Sequence, residues 1–221
     1  EVDEAKAIVD SGIPMPRRDE DSHDILGTFK VLSNRAEMMK TPTSPKELFA
    51  ILSHRHSILL EGRPHINPGI FKIKNNRAGM TEFVDYQLVK GTLSQGFKYY
   101  AALTDPFARA IFMMFMISEV HPFNDGNGRV ARVMMNAELV RADQSRIIVP
   151  TVFREDYILA LRKLTRHKDP MAYINVMTKL HQFSDNLYGT DFTELKNYLA
   201  ACNAYEEPSQ AKLQIIEREI L

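Results

Sequence analysis

The sequence predicts an all-α protein, a helical bundle around one buried central helix, with a short β-hairpin inserted. Three observations carry that prediction. Apolar residues recur at helical spacing along most of the 221-residue chain. Residues 110–117 (Ala-Ile-Phe-Met-Met-Phe-Met-Ile) are apolar on every face, the profile of a helix enclosed by others. Only residues 61–84 break the rhythm: Gly and Pro cluster there, followed by Ile70-Phe71-Lys72-Ile73-Lys74, Asn75-Asn76 and Gly79, which suggest a hairpin.

The elements follow in order. Val2–Ser11 is a short helix stopped by Gly12 and Pro14, and polar Pro14–Ser22 reads as a surface linker. His23–Met39 carries Ile25, Leu26, Phe29, Leu32 and Ala36 on one helical face. Ser44, Pro45 and Glu47 make a capping box for a helix running to about Leu60. After the hairpin, a helix spans about Asp85–Ala101, and Asp105-Pro106 opens the central one. Its methionines (Met113, Met114, Met116) are expected to fill core gaps. Pro122 ends it, because a residue before proline is pushed out of the α region. A further helix starts near Asn127 and reaches about Ala142, and others are expected at 153–166, 169–187, 191–202 and 209–221.

Composition narrows the function. Lys+Arg and Asp+Glu are equal at 28 each, so there is no global basic field and no nucleic-acid partner is expected. The apolar run at 110–117 is far too short to span a bilayer, and no signal peptide is seen. A cytoplasmic location is expected. The single Cys202 excludes an internal disulfide framework and reads as a small buried hydrophobe. His54 and His56, two apart on a helix, face different ways, so a structural or solvent role is expected rather than a shared cation.

The chemistry is concentrated in residues 121–132, His-Pro-Phe-Asn-Asp-Gly-Asn-Gly-Arg-Val-Ala-Arg. The segment joins two helices, the first of them buried. Gly126, Asn127 and Gly128 open the second helix, where free N–H groups and the dipole attract phosphate. Arg129 and Arg132 lie three apart and can make charge-assisted bonds to it. Asp125 offers a hard oxygen for Mg²⁺, which uses one or two carboxylates plus phosphates and water. His121 titrates near neutrality and suits a general base. With no strand before the loop and no Gly-Lys-Ser/Thr, a P-loop is excluded.

The whole string resembles the signature of the Fic (filamentation induced by cyclic AMP) family, His-x-Phe-x-Asp/Glu-Gly-Asn-Gly-Arg-x-x-Arg, at every fixed position. Leu60-Glu61-Gly62-Arg63 and Asn67-Pro68-Gly69-Ile70-Phe71-Lys72 look like that family's approach to its flap, with Lys72 where an arginine is usual. The resemblance implies an N-terminal helical segment at 1–43, a Fic core at 44–187 and a C-terminal helical appendage at 188–221.

It also implies an activity: transfer of AMP from ATP to a Ser, Thr or Tyr hydroxyl of a protein target, releasing pyrophosphate. His121 would be the base and Asp125 the Mg²⁺ ligand. Gly126, Asn127 and Gly128 would form the anion nest, with Arg129 on the α/β-phosphates and Arg132 on the γ-phosphate. The target would dock at the 71–84 flap, and Tyr157 would stand in the nucleoside pocket or be an ordinary half-buried helix tyrosine. Thr165 stands near where an adenine-contacting amide is usual. Gly128 argues against the family's kinases, which carry Lys there. Related transfers, removal of AMP, and a nucleotide-sensing module with little turnover remain as alternatives, and a homodimer is possible.

Family members are often restrained by a Ser/Thr-x-x-x-Glu-Gly/Asn helix whose Glu pairs with the second motif arginine, here Arg132. Ser57–Gly62 matches the string but leads straight into the flap. Residues 1–8 look like the helix that follows such a motif, so the inhibitory Glu is expected upstream of Glu1.

Overall fold

The computed structural model describes residues 2–218. Among them the secondary structure is helical apart from one two-stranded ribbon, as expected for the Fic-type all-α fold. The chain divides into two compact units, Glu1–Asp143 and Gln144–Leu221. The 187/188 boundary anticipated above falls inside the second.

The first unit holds α1 (Val2–Ser11), α2 (Asp19–Ser33), α3 (Arg35–Met38), α4 (Pro45–Leu59), α5 (Val89–Ala102), α6 (Pro106–Val120) and α7 (Asn127–Arg141). Helix α6 is the central one: Ala110, Met113 and Ile117 are completely buried, and its main partner is α7. Helix α4 lays a stripe of Leu48, Leu52, Arg55, His56 and Leu59 into the same core, and α2 packs on α4. Gly27 permits that approach, since a Cβ there would sit 2.3 Å from the Ile58 carbonyl oxygen.

Local chemistry moved several boundaries. Residues 19–22 are helical rather than linker, because the acidic run Asp19-Glu20-Asp21 suits the positive end of a helix. Ser22 is buried, donating to the Arg18 carbonyl (2.7 Å) and accepting from the Met15 N–H (3.0 Å). The single helix expected over 23–39 is two, divided at Asn34, whose side chain accepts from the Glu37 N–H and caps α3. Ser44 caps α4 as anticipated, but the Glu47 carboxylate reaches one residue further back, to the N–H and hydroxyl of Thr43. The hairpin is reduced to β1 (Arg77–Ala78) and β2 (Thr81–Glu82), paired Arg77↔Glu82 and Ala78↔Thr81 around Gly79 at φ 57. Ile70–Lys74 is not a strand.

The second unit contains α8 (Arg154–His167), α9 (Pro170–Asp185) and α10 (Phe192–Ala201), with α8 packed on α9. Cys202 is buried as a free thiol. The helix expected over 209–221 does not form across 211–218, and 219–221 lie outside the described residues. Tertiary bonds replace helical ones in that segment. Gln214 N–H donates to the Cys202 carbonyl, Tyr198 hydroxyl donates to the Ile216 carbonyl, and Arg218 holds the carbonyls of Asn186 and Tyr188.

Candidate active site

The 121–132 loop turns between α6 and α7. Its first residue, His121, closes α6 in the left-handed region (φ 51, ψ 60), its N–H still bonded to the Ile117 carbonyl at 2.9 Å. Non-glycine residues reach that region at a cost of roughly 1–2 kcal/mol, and Pro122 drives the departure from α geometry. The imidazole Nδ1 lies 3.1 Å from the Ser118 carbonyl oxygen, which can only accept. Nδ1 therefore carries the proton, and Nε2 keeps a lone pair. The ring is stacked by Phe83, centroids 3.6 Å apart and planes within 5°. Burial pushes the His121 pKa below the usual imidazole range. The Ser118 carbonyl and Asp125 pull it up, and the Lys72 cation pushes it further down. The group is thus held as a neutral base.

Lys72 is itself buried, its backbone N–H bonded to the Pro122 carbonyl (2.8 Å) and its amine to Asn76 Oδ1 (2.7 Å). Asn76 in turn donates to the Phe123 carbonyl at 2.8 Å. These bonds tie the segment before the hairpin to the loop.

The middle of the loop is a packed bracket. Phe123 is completely buried, with Phe71 against it at 5.1 Å and the His56 ring stacked on it at 3.7 Å. His56 Nδ1 accepts from the Gly69 N–H (2.8 Å), so Nε2 carries the proton and donates to the Asp125 carbonyl (2.9 Å). Burial lowers the His56 pKa, consistent with a neutral ring that uses both nitrogens. Asn127 accepts from the Phe123 N–H at 2.8 Å and donates to the Phe123 carbonyl at 2.9 Å. Its side chain is spent on the loop itself, so only its backbone N–H is available to an anion. Gly126 sits at φ 72, and a Cβ there would meet Leu60 Cδ1 at 2.2 Å. Both its conformation and its surroundings require glycine.

At the far end, Gly128 is exposed, and a Cβ on it would meet nothing nearer than Arg132 Nη1 at 3.6 Å. The fold does not need glycine there, and the missing side chain leaves the start of α7 uncovered. Asp125 exposes its carboxylate while Oδ1 accepts from the Gly126 N–H (2.7 Å). Arg129 Nη2 pairs with Asp24 Oδ2 at 2.8 Å, and Nη1 is buried without a hydrogen-bond partner. Arg63 also holds Asp24 and approaches Asp125 at 3.9 Å. Arg132 is exposed on the same turn. No group of three or more His, Cys, Asp or Glu side chains that could hold a metal exists among the described residues, whereas Mg²⁺ can be bound by one or two carboxylates with phosphate and water oxygens. One exposed carboxylate beside a polyphosphate-sized set of donors fits that mode.

The structure therefore gathers His121, Asp125, Gly126, Asn127, Gly128, Arg129 and Arg132 into one loop. Tyr157 lies on α8 of the second unit, half-buried, its ring 6.5 Å from Tyr173. Sequence reasoning did not find Phe83, Asp24 or Arg63. It gave His56 a structural or solvent role, and the structure makes it the buried brace. A signal for His56 was present, since it falls on the apolar stripe of α4.

A helical bundle that presents this loop between its two most extensively packed helices defines a Fic-class domain. Residues 44–139 match the model of the Fic/DOC family. It is 28% identical over 110 residues to protein adenylyltransferase fic-1 of Caenorhabditis elegans, a match covering 49% of this chain and 22% of that protein. It is 27% identical over 107 residues to a Fido domain-containing protein of Dictyostelium discoideum, covering 46% of this chain and 75% of the relative. Among solved structures, Fic-1 of C. elegans superposes with a TM-score of 0.68 at 18% identity, over 92% of this chain and 58% of that one. A Fic domain containing signaling protein from Bacteroides thetaiotaomicron gives a TM-score of 0.69 at 14% identity, over 99% and 84%. No described helix is long and apolar enough to cross a membrane.

Proposed function

We propose that this chain is a protein adenylyltransferase, moving AMP from ATP to a Ser, Thr or Tyr hydroxyl of a protein and releasing pyrophosphate. One observation carries the reading: a neutral imidazole with its Nε2 lone pair free stands on the same short loop as an uncovered helix N-terminus flanked by arginines. The names of the relatives support it.

His121 Nε2 accepts the target's hydroxyl proton as that oxygen attacks the α-phosphorus, and the bond to the bridging oxygen of pyrophosphate breaks. The N–H groups opening α7, with Arg129 and Arg132, hold the phosphates and stabilise charge on the leaving group. Asp125 would hold Mg²⁺, which when bound would supply positive charge to offset that of the phosphates. An extended segment of the target would pair with the β1–β2 ribbon, whose tip residue Met80 is fully exposed. Tyr157 is assigned to the nucleoside. A brake is part of the proposal: a helix from upstream of Glu1 would place a carboxylate on Arg132.

Incubation with Mg²⁺ and α-³²P-ATP, with candidate targets present, tests the reaction. Label should appear on protein and disappear with His121→Ala. ATP binding with no label transfer would favour a nucleotide-sensing module, and transfer from γ-³²P-ATP alone would indicate a kinase. A longer chain carrying the upstream segment should label more weakly, and equal labelling would remove the brake from the proposal.

A further inference from the structure

The stretch matched to the family begins at residue 44, yet a side chain from before it grips the loop's first arginine. Asp24, on α2, is 5% exposed and accepts from two guanidinium groups. Arg63 Nε binds its Oδ1 at 3.1 Å, Arg63 Nη2 binds Oδ2, and Arg129 Nη2 binds the same Oδ2 at 2.8 Å. A buried carboxylate held twice by one arginine is a fixed object. Arg63 is fixed from other directions as well, by Glu20 at 3.3 Å and Asp21 at 3.5 Å.

Arg129 is therefore anchored by one nitrogen, while its other terminal nitrogen, Nη1, is buried and has no acceptor. A guanidinium donor left without an acceptor is unfavourable, so a bound anion that gave Nη1 an acceptor would be stabilised. Competition between Asp24 and the anion is disfavoured by the count of bonds: releasing Asp24 from Arg129 would leave it on Arg63, still buried, with no gain in hydration.

We infer that Asp24 is a positioning residue for nucleotide binding, acting through Arg129, so that the phosphate site is completed by the N-terminal segment and not by the matched domain alone. The inference rests on the proposed function only in taking MgATP as the anion.

The test is a double-mutant cycle on MgATP affinity, measured by titration calorimetry on the full chain with melting curves alongside. Asp24→Asn should weaken MgATP about tenfold, equivalent to roughly 1.4 kcal/mol. In an Arg129→Ala background the same change should cost less than twofold, because the group it orients is gone. Equal losses in the two backgrounds would make Asp24 merely structural and overturn the inference. Tighter binding by Asp24→Asn would make it a competitor and overturn it equally. If Asp24→Asn does not fold, Asp24→Glu keeps the charge and displaces it by one methylene. It should lose affinity several-fold in the wild-type background and not in Arg129→Ala, and equal losses again overturn the inference. A wild-type chain that does not bind MgATP sinks the proposed function as well, whereas additive losses with wild-type binding intact sink this inference alone.

Discussion

The two ends of the 121–132 loop solve opposite electrostatic problems a few residues apart. At the His121 end the ring is covered by Phe83, bonded to a single carbonyl and kept neutral by burial. At the Arg129 end, Arg63, Arg129, Asp24 and Asp125 stand within ion-pairing distance in a chain. A base must be uncharged to take a proton, so it is desolvated, whereas a phosphate site must stay charged, so its cations are buttressed by carboxylates. The His56–Phe123–Asn127 bracket lies between the two and sets their separation. The contrast teaches that one short loop can hold groups of incompatible solvation, provided its middle is packed as core.

Four substitutions press on that contrast, the strongest first. His121→Ala removes the base and should lower the transfer rate by about 10²–10⁴-fold while MgATP still binds, which separates the two ends; loss of both together would deny the separation. Arg55→Met is a control remote from either end. It leaves Glu37 with Lys40 as its remaining close cation; burial would raise that carboxyl, but the Lys40 hydrogen bond and the Arg55 charge hold it below its ordinary range. A cost of about 3–5 kcal/mol is expected, read as a lower denaturation midpoint. Because Glu37 is depressed in the folded state, the stability it contributes is present above its unfolded pKa and fades as pH falls through the folded one. The wild-type chain should show that acid-side loss and Arg55→Met should show less of it. His56→Phe keeps the stack on Phe123 but leaves the Gly69 N–H and Asp125 carbonyl unpaired, for about 1–3 kcal/mol. Both rate and MgATP affinity should fall if the bracket joins the ends, and a fall in only one would mean it serves only that end. The smallest effect is Lys72→Met. Removing the cation raises the His121 pKa, so the acid limb of the rate profile should move to higher pH. Lys72→Arg should leave it in place.

Much of this was legible in the sequence because the loop's chemistry is contiguous. The central α6 was readable from an apolar run with no polar face, and the end of α6 from Pro122. The residues that were missed act across the chain. Phe83 reaches His121 over 38 positions and Asp24 reaches Arg129 over 105, and no local periodicity encodes such meetings. The failed helix at 211–218 has the same cause, since its backbone groups found partners on Cys202, Tyr198 and Asn186 that propensity cannot see. Asn34 was a local signal, a capping side chain placed three residues before Glu37, and it was overridden by the apolar spacing around it.

The left-handed backbone at His121 has a further consequence. An imidazole is held there at a conformational cost that glycine would not bear, and its ring occupies a slot beneath Phe83. His121→Gly should therefore recover, through its relaxed backbone, part of the stability lost with the ring's packing and be inactive, with an empty aromatic-roofed berth the size of the lost ring. Free imidazole added to that variant should enter the berth and restore part of the turnover in a saturable, pH-dependent way. The chain would then behave as an apoenzyme for its own side chain, with the base converted into an exchangeable reagent.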